Sequence, residues 1–151
     1  MGLFILVIQF VLQSAFGLCV ISSKANLRSG PSSKNKITWV APKYTPLLEI
    51  KKKGSWYNVK DQDGQKHWVF GNNVSKRTKC VAVKVASANL RTGPGARNKL
   101  GDIRRVDRYT PFKRIDIADN GWYQVEAIWG GRYWISDKLV WRPVKISRVS
   151  Y

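Results

Sequence analysis

The chain has 151 residues, and its 27 Lys and Arg residues outnumber 9 Asp and Glu residues, which gives a formal net charge of +18. One histidine and two cysteines cannot supply the usual zinc ligand set, and so few carboxylates argue against the paired acids of a glycosidase. The excess of cations favours anionic partners, unless the basic residues only solvate the surface.

The first segment has the features of a secretion signal. Residues 1–23 contain no charged side chain, and Leu3 to Leu12 is apolar apart from one Gln, a length typical of a signal peptide rather than a membrane span. Small residues at Ala15 and Gly17 predict cleavage after Gly17, so the leader covers 1–17 and the mature protein is periplasmic or secreted. No Lys or Arg precedes the apolar run, so an uncleaved N-terminal anchor is the alternative. Lipidation of Cys19 is not expected, because Leu18 stands where a small residue is needed.

The rest of the chain contains one pattern twice. Ala25-Asn-Leu-Arg-Ser-Gly-Pro31 recurs as residues 88–94 with Thr in place of Ser, at an offset of 63 (88 − 25). Tyr-Thr-Pro at 44–46 recurs at 109–111, and Trp56-Tyr57 recurs as Trp122-Tyr123. A duplicated unit of about 60 residues exceeds the usual solenoid period. We therefore predict two small tandem domains, over 18–77 and 78–142, followed by a basic tail over 143–151.

Both units favour strands. Neither has a long segment with apolar residues at helical spacing, whereas both have short β-branched and aromatic runs between turn residues. We predict strands near 24–27, 37–40, 47–51, 56–60 and 66–70, and near 85–90, 100–103, 112–117, 122–127 and 132–135. Hairpin turns are expected at Asp63-Gly64 and Gly130-Gly131. The chain is thus predicted to be all-β, with two small barrels in which four tryptophans are at least partly buried: Trp56, Trp68, Trp122 and Trp134.

The two cysteines, Cys19 and Cys80, stand at equivalent places shortly before the repeated phrase. In an oxidising compartment such a pair predicts one disulfide, whereas in the cytosol the same residues would be two buried free thiols. The bridge would close a loop of about 60 residues, which chain-entropy arguments value at roughly 4 kcal/mol.

Three motifs in a fixed order resemble the bacterial SH3 domain family, SH3b. They are Asn-Leu-Arg-Ser/Thr-Gly-Pro, then Gly-x-Trp-Tyr-x-Val or Gly-Trp-Tyr-x-Val, then Trp-Val or Trp-Ile after a glycine turn. The resemblance covers nearly all of 19–142 and implies two tandem SH3-like barrels. Such domains act outside the cytoplasm and are often joined to cell-wall hydrolases, where they recognise peptidoglycan or place the enzyme on it. No catalytic domain accompanies the repeats, so we expect a non-catalytic protein.

Catalysis by the repeats themselves is also not expected. A cysteine peptidase needs a thiolate, a histidine base and an orienting group within hydrogen-bond reach. The single histidine, His67, lies in a predicted strand beside Trp68, with neither cysteine near it in the repeat. Its counterpart in the second unit is Tyr133, which is not a base at neutral pH. We interpret His67 as a surface or packing residue and predict no cofactor and no metal.

Four aromatic residues are candidate ligand contacts. Tyr44 and Tyr109 precede the third strand of each unit, where loops overhang a shallow groove in the barrels that the chain resembles. Trp39 and Trp129 have no aromatic counterpart in the other unit, and residues that break the repeat are candidates for function. The alternative for each is partial burial or a contact between the domains.

Two arginines complete the candidate site. Arg28 and Arg91 recur just after the first strand of each unit, beside Gly and Pro. A guanidinium can hold a carboxylate with two parallel hydrogen bonds, as in a peptide terminus or an acidic stem peptide. Alternatively, each arginine stabilises its own loop by donating to backbone carbonyls.

These features favour an exported binding protein that engages peptidoglycan or other anionic envelope material through aromatic stacking and a cationic surface. An envelope adaptor that binds a peptide of a protein partner is the alternative, and two linked weak sites would gain avidity. A nucleic-acid binder also fits the pI of about 10.3 and the interleaved aromatics, but the predicted leader argues against it.

Overall fold

The computed structural model describes residues 17–144, which form two seven-stranded antiparallel sheets. The first sheet contains β1 (Gly17–Val20), β2 (Lys24–Arg28), β3 (Ile37–Pro42), β4 (Pro46–Lys53), β5 (Trp56–Lys60), β6 (Lys66–Phe70) and β7 (Val74–Ser75). The second contains β8 (Cys80–Val83), β9 (Ser87–Arg91), β10 (Leu100–Asp107), β11 (Pro111–Ile117), β12 (Trp122–Ala127), β13 (Arg132–Ser136) and β14 (Val140–Trp141). The all-β prediction is confirmed. Residues 1–16 of the predicted leader and residues 145–151 of the predicted tail lie outside the described residues.

The duplication in sequence is a duplication in topology. The strand order is β3-β2-β6-β5-β4-β1-β7 in the first sheet and β10-β9-β13-β12-β11-β8-β14 in the second. A single-turn 3₁₀ helix precedes the last strand of each sheet, at Gly71–Asn73 and Asp137–Leu139. Each repeat is therefore one complete small β domain, as expected from the 60-residue unit.

The ten predicted strands are present, with ends shifted by a few residues, and four short strands were not predicted. β1 pairs with β4 and β7, and β8 pairs with β11 and β14. β1 begins at Gly17, which is the last residue of the predicted leader. The predicted hairpin glycines are confirmed by their positive φ angles, 82° at Gly64 and 89° at Gly130.

Each domain has its own core of inward-facing strand residues. In β2, Ala25 and Leu27 are buried whereas Lys24 and Asn26 are exposed, which is the period of two expected of a strand. Leu90 repeats the arrangement in the second core. The four predicted tryptophans are half-buried and lie outside both fully buried clusters.

The repeated Tyr-Thr-Pro phrase forms a tight turn. Tyr44 and Tyr109 have left-handed backbones, with φ of 68° and 72°, and their N–H groups donate to the carbonyls of Val20 and Val83 at 2.8 Å. The following threonine hydroxyl donates to the carbonyl three residues back at 2.7 Å in both repeats. These hydrogen bonds hold a conformation that non-glycine residues rarely adopt. They also fix the direction in which each tyrosine leaves its domain.

The predicted disulfide is confirmed. Cys19 in β1 and Cys80 in β8 are bonded, with 5.5 Å between their Cα atoms, and Tyr44 packs against them in a small buried cluster. The bridge joins the first strand of one domain to the first strand of the other. No helix among residues 17–144 is long and apolar enough to cross a membrane.

Candidate functional site

The two domains meet at a polar junction beside the disulfide. The hydroxyl of Tyr44 donates to Glu126 in the second domain at 3.2 Å, and the hydroxyl of Tyr109 donates to Asp63 in the first domain at 3.2 Å. The side-chain amide of Gln62 donates to the carbonyl of Val83 at 3.0 Å. Each turn tyrosine therefore reaches the hairpin between the fifth and sixth strands of the other domain.

A groove of about 630 Å³ opens at this junction, and we call it the junction groove. Its walls come from β3, β6 and the β5–β6 hairpin of the first domain, and from Ala82 and Tyr109 of the second. The side chains that carry its chemistry are Thr38, Trp39, Asp61, Gln62, Asp63, Lys66, His67 and Tyr109. The structure thus brings together Trp39 and Tyr109, two of the aromatic residues predicted to contact a ligand.

These two aromatics are accessible. Trp39 is 37% exposed on β3, an edge strand of the first sheet, and Tyr109 is 50% exposed. The Trp39 ring lies 6.1 Å from the His67 ring at a tilt of 43°. An accessible tryptophan and an accessible tyrosine on one cavity provide apolar faces for a sugar ring or an aliphatic side chain.

His67 lies at the centre of a partly buried chain of hydrogen bonds along the groove, between the exposed Thr38 and the half-buried Asp61. Its Nε2 is 2.8 Å from Asp61 Oδ2, its Nδ1 is 2.7 Å from Thr38 Oγ1, and the residue is only 7% exposed. Asp61 also accepts from the backbone N–H groups of Asp63 and Gln65. Hydrolases use the same series of groups, a carboxylate, an imidazole and a hydroxyl, to activate a hydroxyl nucleophile. The second domain distinguishes a catalytic role of His67 from a structural one.

The second domain contains the same bridge built from other residues. Tyr133 replaces His67, donates its hydroxyl proton to Asp102 at 2.8 Å and accepts from the Trp129 indole at 2.9 Å. In both domains a residue of the sixth strand thus links the third strand to the hairpin. Because a tyrosine performs this task in one repeat, the bridge stabilises the barrel without needing a base, and the interpretation of His67 as a packing residue agrees with this geometry.

The bridge in the second domain perturbs two titrations. The hydrogen bond from Tyr133 holds the pKa of Asp102 below its ordinary value, and hydrogen bonds from the backbone act in the same direction. Burial raises the pKa of Tyr133, and the neighbouring Asp102 charge raises it further. A carboxyl with a lowered pKa in the folded state stabilises the fold above its unfolded pKa, and this contribution is lost as the pH falls through the folded pKa.

We expect Tyr133→Phe to raise the pKa of Asp102 toward its ordinary value, because the hydroxyl that favours the charged carboxylate is removed. The variant should therefore lose less stability than the parent on acidification below about pH 4. Carboxyl chemical shifts recorded across a pH series report the first effect, and urea midpoints at neutral and acid pH report the second. Tyr123→Phe is the control, since Tyr123 does not contact Asp102. An unchanged Asp102 titration in Tyr133→Phe would contradict the assignment.

The other predicted site residues lie elsewhere. Tyr44 is only 9% exposed and packs against the disulfide, so its ring faces the junction rather than solvent. Trp129 is half exposed, but it packs near Phe112 and Tyr133 in the second domain. Arg28 and Arg91 each donate from Nη1 to a backbone carbonyl seven residues along, at 2.9 and 3.1 Å. The contact that the structure shows for both arginines is the loop-stabilising one.

Sequence reasoning did not single out Thr38, Asp61 or Gln62 for this groove. Asp61 stands at the start of the β5–β6 turn, and its second carboxylate oxygen reaches His67 because β5 pairs with β6. The side-chain Oε1 of Gln62 is buried and accepts no hydrogen bond from the residues described here. No group of three or more metal-ligand side chains is close enough within 17–144 to hold a metal ion.

Residues 23–75, which span most of the first sheet, match the family model of the bacterial SH3 domain. The first repeat is a bacterial SH3 domain. The second domain has the strand order of this SH3 domain and the same three sequence motifs. No curated protein matches the chain.

Among solved structures, the chain is similar to NlpC1 from Trichomonas vaginalis, with 13% identity and a TM-score of 0.36 over 91% of this chain and 48% of that chain. It is also similar to NlpC2 from the same organism, with 12% identity and a TM-score of 0.34 over 84% of this chain and 47% of that chain. The chain therefore spans about half the length of these two proteins.

Proposed function

We propose that this tandem protein is a non-catalytic binding protein of the cell envelope, and that its junction groove engages peptidoglycan. The observation that carries the proposal is the meeting of Trp39 from one domain and Tyr109 from the other on a single open cavity. Cell-wall binding is common among bacterial SH3 domains, which supports the choice of ligand.

The polar groups of the groove suit a ligand with amides, amines and carboxylates. The exposed carboxylate of Asp63 is an acceptor for ligand N–H groups, and Lys66 is an exposed cation for a ligand carboxylate. Stem peptides of peptidoglycan carry all three kinds of group, and the glycan carries the sugar faces that aromatic side chains contact. A ligand of this class would satisfy both the apolar and the polar walls.

The charge of the whole protein supports association with an anionic polymer. Of the 27 Lys and Arg residues in the chain, Lys76 and Arg132 are the ones that pair with a carboxylate within residues 17–144. The remaining positive charge attracts polyanions over distances of about a Debye length, roughly 10 Å at 0.1 M salt. This attraction is not specific, so it brings the protein to the wall and leaves recognition to the groove.

Export is part of the proposal. The apolar leader predicts it, and a disulfide between the two domains persists in an oxidising compartment such as the periplasm or the extracellular space. The non-catalytic assignment is supported by the repeated bridge, because the second domain keeps the same link with Tyr133 in place of His67.

Co-sedimentation with purified sacculi at low and moderate salt tests the function. We expect the parent to sediment at both, and Trp39→Ala or Tyr109→Asn to bind about tenfold more weakly at moderate salt, since an interface aromatic commonly contributes more than 1 kcal/mol. Asn is chosen at 109 because it tolerates the left-handed backbone found there. Ile117→Ala, at an exposed position outside the groove, is the matched control.

Failure of the parent to sediment at low salt would contradict wall binding altogether. Binding that moderate salt abolishes, and that neither groove variant changes, would mean that net charge alone produces the association and that the groove has another ligand.

A further inference from the structure

A second cavity of about 630 Å³ lies on the first domain, away from the junction, and we call it the loop pocket. It lies between the loop at 31–33 and the sheet residues Lys24, Asn26, Arg28, Trp56 and Phe70, with Asn73 of the 3₁₀ turn at one side. It shares no lining residue with the junction groove. Nothing in the function proposed above uses it.

The charge of the loop pocket is one-sided. Lys24 and Arg28 line it, and no Asp or Glu does. Arg28 donates one hydrogen bond to the Asn35 carbonyl, and its other guanidinium N–H groups have no partner among residues 17–144. Lys24 is exposed and likewise has no carboxylate partner in that range. A guanidinium and an ammonium on one cavity favour a ligand with more than one carboxylate.

The opposite wall is aromatic. Trp56 and Phe70 are directly opposite each other on β5 and β6, and their ring centroids are 5.5 Å apart at a tilt of 52°. Both are half-buried. Two tilted rings form a stepped apolar surface rather than one flat platform, which suits branched aliphatic side chains better than the face of a sugar.

The second domain shows which residues build the pocket and which only build the fold. Arg28 and Trp56 have identical counterparts there, Arg91 and Trp122. Five lining residues differ, since the second domain has Ser87, Gly95, Ala96, Ser136 and Leu139 where the first has Lys24, Ser32, Ser33, Phe70 and Asn73. The register confirms the ring position, because Trp56 pairs with Phe70 whereas Trp122 pairs with Ser136. The Lys24 cation, the Phe70 ring and the Asn73 amide are therefore present in the first domain alone.

The hairpin that borders the pocket differs in the same sense. In the second domain the Asn120 amide donates to the Pro94 carbonyl at 3.0 Å and ties the hairpin to the loop. In the first domain this hairpin is one residue shorter, with only Gly54 and Ser55 between the paired Lys53 and Trp56, and within residues 17–144 no hydrogen bond links it to the loop at 31–33. The loop at 31–33 thus lacks the link to the hairpin that its counterpart in the second domain has.

We propose that the loop pocket binds an acidic, extended peptide segment of a protein partner. Lys24 and Arg28 take side-chain carboxylates of the peptide, and the Trp56–Phe70 wall takes the aliphatic side chains that alternate with them. The amides of Asn26 and Asn73, each both a donor and an acceptor, match the backbone N–H and C=O groups of an extended chain. The pocket makes the protein a bridge between its groove ligand and a second protein.

The test is a titration of the ¹⁵N-labelled, disulfide-bonded protein with a capped peptide of alternating glutamate and leucine. We expect the Trp56 indole N–H signal to shift and the Trp122 signal to stay, because the second domain lacks the pocket residues. Lys24→Ser and Phe70→Ser, which introduce the residues that the second domain carries, should each weaken binding by about tenfold or more. Lys84→Ser removes an equal charge from an exposed site in the second domain and should not change the affinity.

A further variant separates loss of binding from loss of fold. Lys24→Gln keeps most of the length of the side chain and removes its charge at an exposed position outside the core. It should weaken binding while the spectrum stays dispersed.

Three results would overturn the proposal. They are equal binding of a peptide with glutamine in place of glutamate, equal shifts at Trp122, and a stronger response of Trp56 to glucuronic or N-acetylmuramic acid than to the peptide. Because sacculi are absent from this experiment, its failure leaves the proposal for the junction groove untouched.

Discussion

Replacing both Cys19 and Cys80 by alanine is expected to lower the free energy of unfolding of the first domain by about 4 kcal/mol and to change that of the second domain far less. The reason is the position of the loop. The bridge spans a sequence separation of 61 residues, and the chain between its ends is the first domain itself. Cutting the bridge therefore frees the unfolded first domain, whereas the second domain lies outside the closed loop. A loss of this size is a large fraction of the stability of a small domain.

Hydrogen exchange resolved by residue measures the two domains separately in one molecule. Amides of Leu27 and Val59 report the first core, and those of Leu90 and Val125 report the second. Alanine is used because both cysteines are buried, so serine would add an unsatisfied hydroxyl. Equal loss of protection in both cores would show that the bridge acts through the junction rather than through loop closure.

Phe112→Ala is expected to cost the second domain about 4 kcal/mol, within the range seen for truncation of a buried phenylalanine. Phe112 is fully buried in β11, and its ring lies 6.1 Å from the Trp129 ring in an edge-to-face arrangement. Removing the ring leaves a cavity at the centre of the core and removes the support of Trp129. Urea denaturation followed by residue-resolved exchange measures the loss.

The first domain supplies the matched control. Its residue at the position of Phe112 is Leu47, which is also fully buried, so a leucine fits this place in the barrel. Phe112→Leu should therefore cost only about 1.5 kcal/mol, because much of the apolar volume remains. If the leucine and alanine variants were equally unstable, the loss would come from the aromatic contact with Trp129 and not from the cavity.

The fold was largely predictable because the two repeats of the chain can be compared with each other. Two copies of each motif fixed the strands that carry them, and the equivalent positions of Cys19 and Cys80 predicted the disulfide that the structure confirms. Four short strands were not predicted, and two of them, β7 and β14, have only two residues each and no pattern of their own. They depend on pairing with β1 and β8, which is tertiary information.

The site was less predictable, for a reason that Tyr44 and Tyr109 make clear. The two residues occupy the same place in the same phrase with nearly the same φ, yet one is 9% exposed and the other 50%. Packing between the domains determines this difference in exposure, which the local sequence around each tyrosine does not predict. In contrast, the differences between Lys24 and Ser87 and between Phe70 and Ser136 are visible when the two halves are aligned, so the loop pocket leaves a signal in the sequence.

The exchange of turn tyrosines between the domains has a consequence for how the halves of this molecule relate. The turn tyrosine of each domain contacts the other domain, Tyr44 at Glu126 and Tyr109 at Asp63. Such a reciprocal contact has the form by which identical subunits associate around a two-fold axis. Here one peptide chain and one disulfide join the two bodies, so the contact forms within one molecule at an effective concentration that is roughly millimolar for short links. The protein is in this sense a covalent heterodimer. The two halves differ within this shared arrangement, since the Phe70 ring and the Lys24 cation are present in the first domain alone.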